Sequence, residues 1–156
     1  NNGELTGTTE FSGGLVGYVG FDSETESAKL VIQNCANKGA ISVLGGSICG
    51  MLCVEPSKAQ CLTSHVVNSI NKGKLNSGVN VYGAANIVLK ADNFVSIGKL
   101  TASSGAFSFW NESADVGRVY CLKSGCSKCD YATQVEYQSS EKIFVVVSGS
   151  ENFVIF

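Results

Sequence analysis

The chain has 156 residues, 44% of them apolar and 15% charged, with 18 Gly, one Pro, seven Cys and a formal net charge of −2. That is enough chain for one domain with a core, and the abundance of Gly, Val, Ile, Thr and aromatic residues favours strands and tight turns. No basic stretch stands out, which argues against a nucleic-acid partner, and no apolar run approaches the roughly 18 residues of a membrane span.

Taken in chain order, Asn2-Gly3-Glu4-Leu5 is the tail of a phrase that returns three times. It reappears as Asn34-Cys-Ala-Asn-Lys-Gly39-Ala-Ile41, as Asn68-Ser-Ile-Asn-Lys-Gly73-Lys-Leu75, and as Asn93-Phe-Val-Ser-Ile-Gly98-Lys-Leu100. The turn glycines fall at 3, 39, 73 and 98, so successive units are 36, 34 and 25 residues long. A second phrase, "GGLVGYV" at 13–19, is answered by "GGSICGML" at 45–52 and by the degraded "YGAANIVL" at 82–89. The first two units carry insertions at 20–29 and 53–64, which should stack on one face.

Around the first phrase apolar and polar residues alternate, which predicts strands. Ile32, Asn34 and Ala36 align with Val66, Asn68 and Ile70, and with Ala91, Asn93 and Val95. This places Asn34, Asn68 and Asn93 as a ladder of polar residues on an apolar face, bonded from copy to copy. The glycine five residues later suits a turn with positive φ, after which Leu5, Ile41, Leu75 and Leu100 re-enter the core. His65 falls level with Val31 and Lys90, on the face opposite the Ile32/Val66 row.

Past Trp110 the pattern stops. The tail reads as hairpins at Tyr131–Tyr137, Lys142–Val147 and Asn152–Phe156. A unit of about three short strands around a corner cannot bury both sides alone, so units stack. The expected fold is all-β: a parallel β-solenoid, a right-handed β-helix by the general handedness of parallel crossovers, with a C-terminal β-hairpin cap. Solenoid repeats occupy 1–110, in units near 1–36, 37–70, 71–95 and 96–110, and the hairpin-rich cap occupies 111–156. A β-sandwich is the competing expectation. The pattern is already running at residue 1, so the expectation is a piece of a longer repeat protein.

The stretches "SGGLVGYV" and "IQNCANKGAIS" resemble GLUG-type repeats. The match covers residues 11–41 well, 45–75 with changes and 82–105 loosely. The run from "YGAANIVLKADNFVSIGKL" through "SGAFSFW" to the Cys-x-x-Cys is similar to repeat-rich predicted surface proteins of trichomonad protozoa. The resemblance implies an extracellular β-solenoid used for display or adhesion, and no catalytic residues.

Other residues bear on chemistry. Seven Cys suit an oxidising compartment. Cys126-Ser-Lys-Cys129 has C-x-x-C spacing and reads as a structural disulfide ahead of a metal or redox site, since a fourth ligand beyond Cys121 is not evident. Cys53 and Cys61 bracket the Pro56 loop and form a second candidate bridge. Cys35 and Cys49 read as buried thiols. Asn111-Glu-Ser113 is a glycosylation sequon. Asp22, Glu24 and Glu26 read as a solvated loop, because their spacing is not that of an EF-hand. Phe107, Phe109 and Trp110 read as packing under the cap ahead of a carbohydrate platform. No metal, cofactor or catalytic set is expected.

The expected function is a non-enzymatic extracellular surface, adhesion or filament module, with the insertions as its contact face. Its expected partners are neighbouring repeats or further copies at the open solenoid ends, and host or matrix glycan or protein. The alternative is a carbohydrate-active β-helix enzyme of the polysaccharide-lyase kind. That reading wants a cleft of charged residues across several coils, where this chain writes mostly Asn, Ser, Ala and Val.

Overall fold

The computed structural model describes residues 1–19, 27–55, 57, 61–87, 90–107, 115–125, 133–138, 143–146 and 152–153. Among the described residues the regular structure is strand, apart from a 3-10 turn at Lys123–Gly125, in three sheets whose members are visited in rotation. One short sheet holds β1 (Leu5–Gly7), β5 (Ile41–Val43), β8 (Leu75–Ser77) and β11 (Leu100–Ala102), in that spatial order. A second holds β2 (Phe11–Gly13), β6 (Ser47–Cys49), β9 (Asn80–Tyr82) and β12 (Gly105–Phe107). The long sheet runs β3 (Ala28–Gln33), β7 (Leu62–Asn71), β10 (Lys90–Ser96), β14 (Val119–Leu122), β15 (Thr133–Gln138), β16 (Ile143–Val146) and β17 (Asn152–Phe153). Two short strands join its margins: β4 (Ala36–Asn37) pairs with β7, and β13 (Asp115–Val116) with β10.

Every pairing from β1 to the β14–β15 contact is parallel, and each circuit lies one strand further along than the last. Parallel stacking therefore continues past residue 110, through β14 and β15. Among the described residues the direction reverses only at β15–β16 and β16–β17, which are antiparallel.

Register follows the aligned phrases. Leu5 pairs with Ile41, Ile41 with Leu75, and Leu75 with Leu100. The three inner members are buried, whereas Leu5, in the outermost layer, is 43% exposed. Ile32, Val66 and Ala91 form a second inward file, and Val31, His65 and Lys90 lie level beside it. The Ile32 file packs with Phe94, Leu52, Met51, Val54 and Val119 into one core cluster, and Ile41, Leu75 and Leu100 pack with Val43, Ile48, Val81 and Cys121 into another.

Two expectations are corrected at the corner after the long strands. Asn34, Asn68 and Asn93 do not project from an apolar face; all three are exposed. They are the residues with positive φ, at 56°, 48° and 50°. A left-handed residue inside a strand makes the alternation skip a beat, as in a bulge. Inward positions are therefore 66, 69 and 71 in one layer and 91, 94 and 96 in the next, not 66, 68 and 70. Ile70 and Val95 turn outward, and Ser69, Asn71 and Ser96 turn in.

The turn glycines, in contrast, do not have positive φ. They are needed for close approach. A Cβ on Gly39 would lie 1.8 Å from the Gly3 carbonyl oxygen, one on Gly73 2.0 Å from that of Gly39, and one on Gly98 1.9 Å from that of Gly73. Each glycine seats its circuit on the one before it.

Candidate functional site

The two repeated phrases build two stacked corners. At the first, the long strand ends in a buried asparagine. Asn37 and Asn71 are 0% exposed, a placement that would be costly if their amides were unpaired. They are paired with one another through the stack. Asn1 Nδ2 donates to Asn37 Oδ1 at 3.1 Å, Asn37 Nδ2 to Asn71 Oδ1 at 2.9 Å, and Asn71 Nδ2 to Ser96 Oγ at 3.4 Å and to the Gly73 carbonyl at 3.3 Å. A second, outer rung joins Asn93 Nδ2 to Asn68 Oδ1 at 2.9 Å on the exposed face. The inner ladder lies three residues after the aligned Asn34/Asn68 pair. The signal that marks it is the Asn-Lys-Gly ending shared by the first two copies.

The second corner follows the second short sheet. Hydrogen-bonded register sets Gly13 beside Cys49 and Cys49 beside Tyr82, and bridges join Val16 to Leu52 and Leu52 to Ala85. So Gly13-Gly14-Leu15-Val16-Gly17 overlies Cys49-Gly50-Met51-Leu52-Cys53 and then Tyr82-Gly83-Ala84-Ala85-Asn86. This differs from the alignment of Gly13-Gly14 with Gly45-Gly46. The constant residue is the central glycine. A Cβ on Gly14 would fall 2.2 Å from the Gly50 carbonyl oxygen and 2.7 Å from Asn37 Cγ. One on Gly50 would fall 2.0 Å from the Gly83 carbonyl oxygen and 2.8 Å from Asn71 Cγ. The buried asparagines thus reach across the core to the second corner, which ties the two phrases together.

Asn86 closes this corner in the third layer. Its amide accepts from Val54 N at 2.9 Å and donates to the Val54 carbonyl at 2.6 Å. Cys49 and Cys53 face each other here, both fully buried, with Cys49 Sγ donating to Cys53 Sγ at 2.7 Å. Burial, first, and the Cys53 sulfur, second, push the Cys49 thiol well above its ordinary range. No bridge joins Cys53 to Cys61, which lies buried just before β7. Cys121, on β14, is disulfide-bonded. Cys126, Cys129, Asn111, Trp110 and the acidic residues of the first insertion lie outside the described residues.

From the second corner the chain leaves for its insertions. Tyr18, just before the first, donates its hydroxyl to Glu55 Oε2 at 2.7 Å, beside the second. This contact, chiefly the hydrogen bond, raises the Tyr18 hydroxyl pKa. The two exits are therefore stacked on one side of the molecule. At the outer layer β1, β2 and β3 each stand at the end of their sheet. A cavity of about 270 Å3 opens there, lined by Leu5, Thr6, Phe11, Ser12 and Val43 among others. Among the described residues no group of three or more His, Cys, Asp or Glu is arranged to hold a metal ion, and no helix is long and apolar enough to cross a membrane. His65 is half-buried between Val31 and Lys90.

No family model, curated protein or solved structure matches this chain.

Proposed function

We propose that this chain is a parallel β-solenoid module of an extracellular or cell-surface protein, a stiff non-enzymatic spacer that presents its insertions to a glycan or protein partner. The reading takes in the resemblance to GLUG-type repeats and the hairpins after β15 as a cap on one end. One observation carries it: the chain returns to the same three sheets in unchanged register, Leu5 to Ile41 to Leu75 to Leu100, while the segments at 20–29 and 53–64 leave from stacked exits beside Tyr18 and Glu55. Loops on a rigid layered support are suited to binding because ordering costs little on contact. The outer edges of β1, β2 and β3, which pair with no further strand among the described residues, also suit addition of further layers, from neighbouring repeats or a second copy.

The test incubates the protein with a panel of neutral and acidic polysaccharides and reads both retention and new chain ends. Retention without new unsaturated ends supports the module. Unsaturated ends that accumulate with time would establish the polysaccharide-lyase alternative and overturn it.

A further inference from the structure

We propose that Cys49 and Cys53 form an intrachain disulfide, made as the chain folds by exchange with a small-molecule disulfide such as oxidised glutathione, and that this bond staples the second corner. The inference rests on the layered corner alone and holds whatever the insertions bind.

Three observations lead to it. First, the two sulfurs stand 2.7 Å apart, closer than unbonded sulfur atoms pack and about 0.6 Å from the roughly 2.05 Å of a disulfide. Second, the surroundings are dry and apolar: both cysteines are fully buried and cluster with Tyr82, Phe11 and Phe107. Tyr82 and Phe107 stack beside them with ring centroids 5.3 Å apart. Such a site is shielded from reductant and offers the two crowded S–H groups only long contacts besides each other, Cys49 Sγ to Asn86 Oδ1 and Cys53 Sγ to the Ser47 carbonyl, both at 3.7 Å. Third, facing is a property of the two positions in the layer. In the first layer they are Gly13 and Gly17, and a Cβ on Gly17 would lie 3.7 Å from Gly13 N. In the third layer they are Tyr82 and Asn86. The second layer fills the same space with two cysteines.

The chemistry balances as two exchanges. One protein thiolate attacks a sulfur of the small disulfide, forming a mixed disulfide and expelling one small thiol. The other protein thiolate attacks the protein-side sulfur and expels the second small thiol. The protein pair loses two electrons and two protons; the oxidant is reduced to two thiols that carry them. The raised pKa of the buried Cys49 thiol disfavours the thiolate once the corner has closed, so the exchange belongs to the folding chain.

Trypsin gives a direct test, because Lys38 and Lys58 release a peptide, Gly39–Lys58, that contains Cys49 and Cys53 and no other cysteine. The full chain is refolded in a glutathione buffer, its remaining thiols are trapped with N-ethylmaleimide under denaturing acid conditions, and the digest is weighed. The expected peptide carries no maleimide and is lighter than its reduced form by two hydrogen atoms. Two maleimide adducts on Gly39–Lys58, or its covalent attachment to the peptide holding Cys61, would overturn the proposal. In the Cys49→Ser variant the same peptide is expected to take one adduct, and an unmodified Cys53 there would likewise count against the pairing.

Discussion

Replacing Gly73 by alanine tests whether the repeated glycine is there for stacking or for turning. The new Cβ would sit 2.0 Å from the Gly39 carbonyl oxygen and 2.9 Å from both Gly39 C and Asn37 Nδ2. An ordinary contact needs about 3.4 Å, so the two circuits must part locally by about 1.4 Å. At that separation the corner bonds from Lys72 N to Asn37 O (2.7 Å) and from Gly73 N to the same oxygen (3.1 Å) pass beyond hydrogen-bonding distance. Two bonds at about 1 kcal/mol each, plus overpacking of about 1–3 kcal/mol, less about 0.5 kcal/mol for a stiffer unfolded chain, leave a net loss of about 2.5–4.5 kcal/mol. For a domain of this size that lowers the melting temperature by about 10 °C. Gly3→Ala is the matched control: it belongs to the same phrase, yet its Cβ would meet only Asn1 Oδ1, at 3.7 Å. Its expected cost is within about 0.5 kcal/mol. Urea unfolding followed by circular dichroism measures both. Equal losses in the two variants, or no loss in Gly73→Ala, would refute the stacking argument.

At Asn68, whose φ is 48°, alanine is expected to cost about 1–2 kcal/mol and glycine less, since only the former pays the left-handed penalty; urea midpoints of the two variants give the order. A double-mutant cycle of Asn37→Ala and Asn71→Ala should show a coupling of about 1 kcal/mol, because each amide is the other's buried partner; additive losses would mean that the inner ladder does not act as a unit. Asp92 accepts the Arg118 backbone N–H at 2.9 Å and faces its guanidinium, contacts that hold its carboxyl below the usual range. A depressed pKa contributes stability above the unfolded carboxylate value and loses it as pH falls through the folded one, so Asp92→Asn should flatten the acid limb of a stability–pH curve measured between about pH 6 and pH 2. Deleting residues 20–26 should change stability by no more than about 1 kcal/mol, because closure cost grows only with the logarithm of loop length; thermal unfolding checks it, and any glycan retention should weaken.

The sequence made the spacing of the layers legible but not their phase. Gly-x-Ile41, Gly-x-Leu75 and Gly-x-Leu100 recur with the same internal distances, so the file they form could be aligned without coordinates. The inward face beyond Asn68 could not, because alternation assumes that every residue is extended, and one left-handed asparagine exchanges the faces of all that follow in the strand. The amide expected inside is therefore outside, and Asn71, which the aligned pattern did not single out, is inside. The second corner was obscured for a different reason. Gly13-Gly14 matches Gly45-Gly46 by identity, whereas backbone pairing places it over Cys49-Gly50, and only the central glycine is held by sterics. With that register hidden, Cys49 and Cys53 could not be seen as facing positions. The tail misled through its composition: Val119, Tyr120 and Cys121 pair in parallel with Phe94, Val95 and Ser96, although the phrase that announces a layer elsewhere is missing.

Unit length falls from 36 to 34 to 25 residues while the sheets keep their register, and the structure locates that change. From the inward file of the long sheet to that of the first short sheet the distance is always nine positions: Ile32 to Ile41, Val66 to Leu75, Ala91 to Leu100. The step from the second short sheet to its corner bridge is always five: Phe11 to Val16, Ser47 to Leu52, Asn80 to Ala85. Between the short sheets it varies by a single residue. The return from corner to long sheet takes 16, 14 and then 6 positions, Val16 to Ile32, Leu52 to Val66 and Ala85 to Ala91. Ten of the eleven residues by which the units differ thus fall in one segment, and closing sixteen positions rather than six costs only about 0.9 kcal/mol. The rest of each circuit is held to length by contacts a single residue would disrupt: the Gly39–Gly73–Gly98 seats, the Asn37–Asn71 rung and the Gly14–Gly50–Gly83 corner. A stack built in this way can change what it presents at one side without altering how it stacks, which is the physical argument for proposing contact at the insertions and support at the phrases.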